Sequence, residues 1–463
     1  MTIITNKINL VIGLGRSGYW AAKLLNSKGE KVIVLEEKIN DQLTIYKQEL
    51  ENDGIEVYLN FPFEFQKISQ WINNIKCIIL SPVIDIENQT VIKLKDAGIR
   101  VIGEVSIGWN YLKNLNWVGI TGTNGKTTVT HLLSHILSQN KLEAPSAGNI
   151  GTPICKHAYN NNVDKKIDWI IAELSSYQIE IANEIKPKIG IWTTFTPDHL
   201  DRHKTLENYF KIKNHLLESS EIRIYNYDDD YLKSSSKKLA KGIWVSSDYK
   251  NKGFEDCYYW IDEKGYVVEK GIRLFHSDIL RLKGNHNILN LLLATAAARK
   301  IGLVGEDIKN SLKNYKQLPH RLETIYDSKN LEVINDSKAT NFDSSYSGIK
   351  SLKSGQLIII GGRIKKGESK LWSRIILEKC KGAFLYGESS QELKSILLKA
   401  GFIEDIFIHN ELKELIPEAI KYLKEKKLKI LLFSPSCSSF DQFKDYEERG
   451  NYFKYYIRKY LPQ

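Results

Sequence analysis

The sequence predicts an α/β protein of three consecutive units, residues 1–114, 115–317 and 318–463. Short apolar runs alternate with helix-spaced stretches along the whole chain, an alternation that reads as parallel sheet with crossover helices. The pattern restarts twice, near residue 116 and again after Pro319-His320-Arg321. At 463 residues the chain also exceeds what one hydrophobic core sustains, roughly 250–300 residues, so it must divide.

In the first unit an apolar run at 8–12 leads into Gly13-Leu14-Gly15-Arg16-Ser17-Gly18 and a helix-like stretch, with further strands expected at 31–35, 77–80 and 100–102. A glycine-rich turn from strand to helix, with Glu36 at the end of the next strand, meets the context of a dinucleotide fingerprint. The glycines permit close approach, the helix N-terminus faces a pyrophosphate and the acid reaches a ribose. A Rossmann-like unit is expected. NAD, another nucleotide diphosphate, or a tight turn with no ligand each satisfy this pattern.

The middle unit opens with a buried strand at 116–120, then Thr121-Gly122-Thr123-Asn124-Gly125-Lys126-Thr127 and a helix over 128–139. Glycines let successive N–H groups turn toward phosphate oxygens, the helix N-terminus adds positive potential, Lys126 supplies a mobile cation and Thr127 can ligate Mg²⁺. Relative to Gly-x-x-x-x-Gly-Lys-[Ser/Thr] the first glycine position holds Ile120, with Gly119 before it. The bland alternative is a helix cap after a tight turn. Strands follow at 169–172, 189–192 and 222–225, then a meander over 258–275 turning at Glu263-Lys264-Gly265, and a helix over 287–299. A P-loop ATPase-like unit with a mostly parallel sheet is expected. The third unit, with strands at 332–335, 356–360, 382–386 and 429–433, reads as a second Rossmann-like α/β fold.

Lys and Arg outnumber Asp and Glu by 66 to 55, a formal charge of +11. The runs mix signs and no nucleic-acid signature is present, so solvated surface explains the excess and anionic small molecules remain compatible with it. Five cysteines lie far apart without a Cys-x-x-Cys pair, which suits a reducing cytosol. The N-terminus is expected to run directly into the first strand without a signal pattern, and no apolar run approaches a membrane span. A soluble cytoplasmic monomer that binds neither nucleic acid nor membrane is expected.

Other residues stand out singly. Glu173 ends an apolar strand, where a carboxylate is costly to bury unless a magnesium ion or a salt bridge meets it. Thr196-Pro197-Asp198-His199-Leu200-Asp201-Arg202-His203 gathers polar groups just after a strand, the place where clefts form. The His199/His203 spacing lacks the glutamate of a zinc protease, and His131/His135 reads as a plain helix face.

Gly119-Ile120-Thr121-Gly122-Thr123-Asn124-Gly125-Lys126-Thr127-Thr128, Gly148-Asn149-Ile150-Gly151, Glu173-Leu174-Ser175-Ser176-Tyr177-Gln178, Asp198-His199-Leu200-Asp201-Arg202, His286-Asn287 with Asn290, His320-Arg321, and Asn335-Asp336-Ser337-Lys338-Ala339-Thr340-Asn341 together resemble the Mur ligase family. The blocks stand in the family's order and span most of the chain. The fingerprint at 13–18, the block at 173–178, and Ser434-Pro435-Ser436-Cys437-Ser438-Ser439-Phe440-Asp441-Gln442-Phe443 through Arg449-Gly450 are most similar to the members that add D-glutamate. The Asp-Asn-Pro-Arg motif of the diaminopimelate- or lysine-adding members is missing. Two departures, Ser81-Pro82-Val83 for Ser-Pro-Gly and Glu36-Glu37-Lys38 for Asp-Thr-Arg, bear on uridine contacts rather than on the reaction.

The resemblance implies an ATP-dependent ligase that joins D-glutamate to UDP-N-acetylmuramoyl-L-alanine through an acyl phosphate, releasing ADP and phosphate, in cytoplasmic peptidoglycan precursor synthesis. It places Gly13, Gly15, Ser17, Gly18, Glu36 and Ser81 at the UDP-sugar, with Asn149 and His199 at the muramoyl-alanine end. ATP falls to Gly122, Thr123, Asn124, Gly125, Lys126, Thr127 and Thr128, together with Asn287, Asn290, Arg321 and Asp336. D-glutamate falls to Lys338, Thr340, Lys365, Ser439 and Phe440, with Lys366 competing for the role of Lys365. Two Mg²⁺ ions are implied, one held by Thr127 and Glu173, the other by His199 and a carbamylated lysine, Lys213 by alignment on Tyr209 or else Lys211. The third unit would close onto the second for reaction. The alternative within the family is folylpolyglutamate synthase; outside it stand a nicotinamide dehydrogenase and a non-enzymatic nucleotide switch.

Overall fold

The structure, a computed structural model, describes residues 7–160, 166–253, 257–282, 284–365 and 367–461. The N-terminal stretch expected to lead into the first strand (1–6) and Lys366 lie outside the described residues. The described residues form three sheets in succession.

The first sheet holds β1 (Ile8–Ile12), β2 (Lys31–Leu35), β3 (Glu56–Tyr58), β4 (Ile75–Leu80) and β5 (Val101–Ile102) in the order β3-β2-β1-β4-β5, all parallel. β1 reads as five consecutive buried residues because helices cover both faces of a parallel sheet. The strand order reverses between β1 and β4, and at such a switch point a crevice opens beyond the carboxyl ends. Gly13 and Ser81, one from each side, meet there: a Cβ on Gly13 would stand 2.7 Å from that of Ser81.

The second sheet holds β6 (Asn116–Thr121), β7 (Ser146–Gly148), β8 (Trp169–Glu173), β9 (Ile189–Trp192), β10 (Ile222–Asn226), β11 (Ile243–Ser246), β12 (Cys257–Ile261), β13 (Tyr266–Glu269) and β14 (Ile272–His276). Their order is β14-β13-β12-β11-β10-β9-β6-β8-β7. It is parallel through β12 and antiparallel from β12 to β14. β6 therefore lies between β8 and β9, which brings the ends of these three strands together.

The third sheet, β15 (Glu323–Ser328), β16 (Leu331–Asn335), β17 (Gln356–Gly361), β18 (Cys380–Tyr386), β19 (Ile406–His409) and β20 (Ile430–Ser436), runs β15-β16-β20-β17-β18-β19. Only β15 is antiparallel. β20 inserts between β16 and β17, so the loops after these three strands share one crevice.

Packing separates the third unit from the other two. One apolar cluster runs continuously from Val11, Leu24 and Ile79 of the first sheet's layer to Ala147, Ile154, Trp192 and Tyr225 of the second. The clusters of the third unit draw only on residues from Leu322 onward.

Candidate active site

The phosphate loop lies between β6 and the helix Lys126–Gln139. Gly125 adopts φ 85°, a left-handed conformation open to glycine, and a Cβ there would stand 2.7 Å from Asn290 Oδ1. Asn290, which donates to Asn287 Oδ1 at 3.2 Å, thus lies directly against the loop. Thr193 and Thr194 after β9 bond to its backbone, with Thr194 Oγ1 accepting from Asn124 N at 2.9 Å. Thr123 Oγ1 donates to Thr196 O at 3.0 Å, and Thr127 and Thr128 are buried in the first helical turn. The loop is therefore built before any ligand meets it.

Two lysines converge on one carbonyl. Lys126 Nζ donates to Gly122 O and to Thr123 O, both at 2.8 Å, and Lys213 Nζ donates to the same Gly122 O at 2.9 Å. Lys213 is 1% exposed, and burial first, then repulsion from Lys126, holds its amine well below the ordinary lysine range. Burial also lowers Lys126, against the attraction of Glu173 and Asp198. Lys211, the competing candidate, has a side chain 70% exposed and pairs with Glu207 at 3.0 Å. The structure brings Lys213, not Lys211, to the loop.

Glu173 ends β8 beside Ile120. Its Oε1 accepts from Asn149 Nδ2 at 2.9 Å, while Oε2 is buried with no hydrogen-bond partner. A buried carboxylate oxygen left open facing a phosphate loop suits a divalent cation. Among the described residues no group of three or more His, Cys, Asp or Glu could hold a metal ion, so an ion here would complete its shell with hydroxyl, phosphate and water oxygens, as Mg²⁺ prefers.

His199 follows β9 in a left-handed conformation, φ 56°. Burial first, then Lys365, Lys126 and Lys213, push its imidazole down to about 4 against the pull of Asp198; it is neutral around pH 7. Asp198 is the meeting point of the middle and third units: Lys365 Nζ lies 3.6 Å from Oδ1 and Asn341 Nδ2 donates to Oδ2 at 3.3 Å. Asp198 and Asn341 stand in recognisable motifs, and only the fold shows that they touch.

Arg321 lies between two non-glycine residues with positive φ, His320 at 63° and Leu322 at 50°. Asp336 braces that kink: its Oδ1 accepts from Leu322 N at 3.2 Å and its Oδ2 from Ser434 Oγ at 2.9 Å. Burial raises Asp336 to about 7 despite the Ser434 bond. Arg321 Nη2 is buried without a partner. The ammonium of Lys338 stacks 3.9 Å from the Tyr446 ring centroid, and burial, then Arg321, lowers it to about 7. Thr340, two residues on, is half-buried, Ser439 is buried and Phe440 is exposed, in the loops after β16 and β20.

At the first sheet, Gly15 and Ser17 open the helix Arg16–Ser27 and Gly18 lies buried within it. Glu36 accepts from Leu14 N at 2.7 Å, so the acid supports the glycine turn from within. The Ser-Pro-Val departure is sterically free: Val83 lacks a positive φ and is 82% exposed.

A glycine-rich loop at a helix N-terminus, clustered lysines and an open carboxylate oxygen, set beside a first parallel sheet and a third α/β unit, are the features of a nucleotide-using enzyme. Residues 120–298 match the Mur ligase middle domain and residues 7–103 the Mur ligase MurD-like, N-terminal domain. UDP-N-acetylmuramoylalanine–D-glutamate ligase of Prochlorococcus marinus strain MIT 9515 is 59% identical over 98% of this chain and 95% of its own. The protein of that name from Parasynechococcus marenigrum strain WH8102 is 40% identical over 97% and 98%. The chain belongs to the Mur ligase family. Among solved structures, UDP-N-acetylmuramate-alanine ligase of Thermotoga maritima shares the fold with a TM-score of 0.59 at 17% identity, covering 98% of both chains. A pseudomurein peptide ligase type C from Methanothermus fervidus gives a TM-score of 0.59 at 20% identity, covering 98% of this chain and 99% of its own. No helix among the described residues is long and apolar enough to cross a membrane.

Proposed function

We propose that this chain joins D-glutamate to UDP-N-acetylmuramoyl-L-alanine with ATP hydrolysed to ADP and phosphate. One observation carries the reading: 59% identity along 98% of the chain to a ligase of that name. On this reading residues 1–114 take the UDP-sugar, 115–317 take ATP and 318–463 take the amino acid.

A carboxylate oxygen of the acceptor attacks the γ-phosphorus and ADP leaves. The amine of D-glutamate then attacks the acyl carbon and phosphate departs with the electron pair of the broken C–O bond, the amine giving up its proton. Lys126 neutralises charge on the transferring group, a step that needs electrostatics more than covalent help. Arg321, with its open Nη2, offers a bond to the nucleotide, and Asn290, against the loop, with Asn287 bonded to it, would fix it. Thr127 and Glu173 would hold one Mg²⁺, and His199 with a carbamylated Lys213 a second; when bound, the ions would screen the phosphate oxygens. Lys213 supports carbamylation: burial first, then the neighbouring Lys126, holds its amine well below the ordinary lysine range, which favours the form whose lone pair adds to carbon dioxide, and the resulting carbamate anion replaces repulsion of Lys126 with attraction.

Lys338 and Lys365 would pair with the two carboxylates of D-glutamate, Thr340 and Ser439 orienting them. With its value near 7, the Lys338 ammonium is present below that pH and lost above it. The inhibition constant of glutarate, which has the two carboxylates and no amine, is therefore expected to rise several-fold from about pH 6 to 9, and Lys338→Arg, charged throughout, to flatten that rise. An unchanged slope in the variant would remove Lys338 from the site.

The decisive experiment is an amino-acid screen of phosphate release with UDP-N-acetylmuramoyl-L-alanine and ATP. Turnover is expected with D-glutamate and not with L-glutamate, glycine or L-alanine. Preference for L-glutamate on a folate acceptor would instead mean a folylpolyglutamate synthase.

A further inference from the structure

The seam between the first and middle units carries an arginine that the mechanism above does not use. Arg202, in the short helix Leu200–His203 after His199, has a side chain only 9% exposed. Its guanidinium crosses the seam: Nη1 donates to Pro82 O at 3.3 Å and to Val83 O at 3.4 Å, the loop that follows Ser81 at the first sheet's switch point. Nε lies 3.5 Å from Asp85, also in the first unit, while Nη2 donates to Glu180 at 2.8 Å in the middle unit.

The same guanidinium stacks on Tyr177, 4.7 Å from the ring centroid. The hydroxyl of Tyr177 is 3.0 Å from His199 Nδ1, and the two rings meet edge-on at 5.0 Å. A continuous line of contacts thus runs from the backbone of the loop beside the nucleotide-sugar crevice, through one arginine and one tyrosine, to the imidazole. When Nδ1 carries the proton it donates to the Tyr177 oxygen, and Nε2 keeps its lone pair for an ion. A bond of this type fixes the ring's orientation, and because the hydroxyl can also accept, it is compatible with the tautomer that leaves Nε2 open. His199 needs such support, because it holds a left-handed backbone without being glycine.

Resting on the function proposed above, we propose that Arg202 is a positioning residue: it senses where residues 81–83 lie and, through Tyr177, sets His199, so that binding of the nucleotide sugar tightens binding of the divalent ion. Nothing moves far. The shared apolar cluster holds the two units together, and a small shift of the loop, passed through Arg202 and Tyr177, bears on a ring held by the Tyr177 hydroxyl at Nδ1 and facing Asp198 Oδ2 at 3.6 Å from Nε2.

Coupling of this kind is a reciprocal free energy between sites, and it can be measured without turnover. Free Mn²⁺ is followed by electron paramagnetic resonance on the full-length protein, a non-hydrolysable ATP analogue being present throughout, with and without UDP-N-acetylmuramoyl-L-alanine. In the wild type the sugar nucleotide is expected to tighten Mn²⁺ about tenfold. Tyr177→Phe, which keeps the ring and loses the hydroxyl, should cut that gain to within about twofold while leaving sugar-nucleotide affinity measured without Mn²⁺ unchanged. Arg202→Ala should lose the gain and also weaken the sugar nucleotide, and Arg202→Lys, which keeps the charge but not the forked geometry, should recover less than half of it. Should Arg202→Ala fail to fold, Tyr177→Phe decides alone. A wild-type gain that survives in Tyr177→Phe, or no gain in the wild type, overturns the inference; failure of the wild type to bind the sugar nucleotide at all overturns the functional reading itself.

Discussion

Replacing Lys126 with alanine is expected to lower kcat by about 10³-fold or more while the protein stays folded. The reason lies in what the ammonium does in the loop. It is fastened to Gly122 O and Thr123 O at 2.8 Å, at the start of a helix whose N-terminal amides already favour anions, so it adds a full charge where the γ-phosphate must shed one. The loop's other ties, from Thr193, Thr194 and Thr196, do not involve that side chain, which predicts retained stability. Single-turnover phosphate release with both substrates would measure the loss. A fall of less than about tenfold would mean that the phosphate is handled elsewhere.

Lys213→Ala is expected to cost about 10²–10³-fold in kcat, and Lys211→Ala, although only two residues away, almost nothing. Both lysines lie on the helix Leu206–Glu218, yet one faces the phosphate loop and the other solvent. The chemical claim has its own readout. Wild-type protein in ¹³C-labelled bicarbonate should show one protected carbamate resonance that Lys213→Ala lacks. Lys213→Arg should be as inactive as the alanine variant, since a guanidinium stays charged and takes up no carbon dioxide. A carbamate signal that persists in Lys213→Ala would move the modification elsewhere.

How much of this could be read from residues alone depends on how local each signal is. Fully buried strands such as β1 and β9, and the loop glycines, announce themselves because parallel sheets need unbroken apolar runs and tight turns need glycine. β7 is three residues of Ser146–Gly148 and β3 is Glu56–Tyr58; runs so short carry no periodicity. β19, an edge strand, is half-buried throughout and equally silent. The site divides the same way. Lys126 and Glu173 sit beside the strands that reveal them, whereas the pairing of Asp198 with Lys365 and Asn341 joins residues more than a hundred positions apart, and the reach of Arg202 to Pro82 depends on how two sheets abut. In the sequence Lys213 is preferred to Lys211 only through the alignment on Tyr209; the way the helix faces supplies the geometric reason.

The single apolar cluster beneath the first two sheets gives the molecule an anvil and a jaw rather than three loose bodies. A ligand that straddles the seam meets a surface already assembled, so little orientational entropy is lost in bringing its nucleotide end and its reacting end into line. On the proposed function, the freedom that remains would belong to the jaw, the unit proposed to take the smallest substrate.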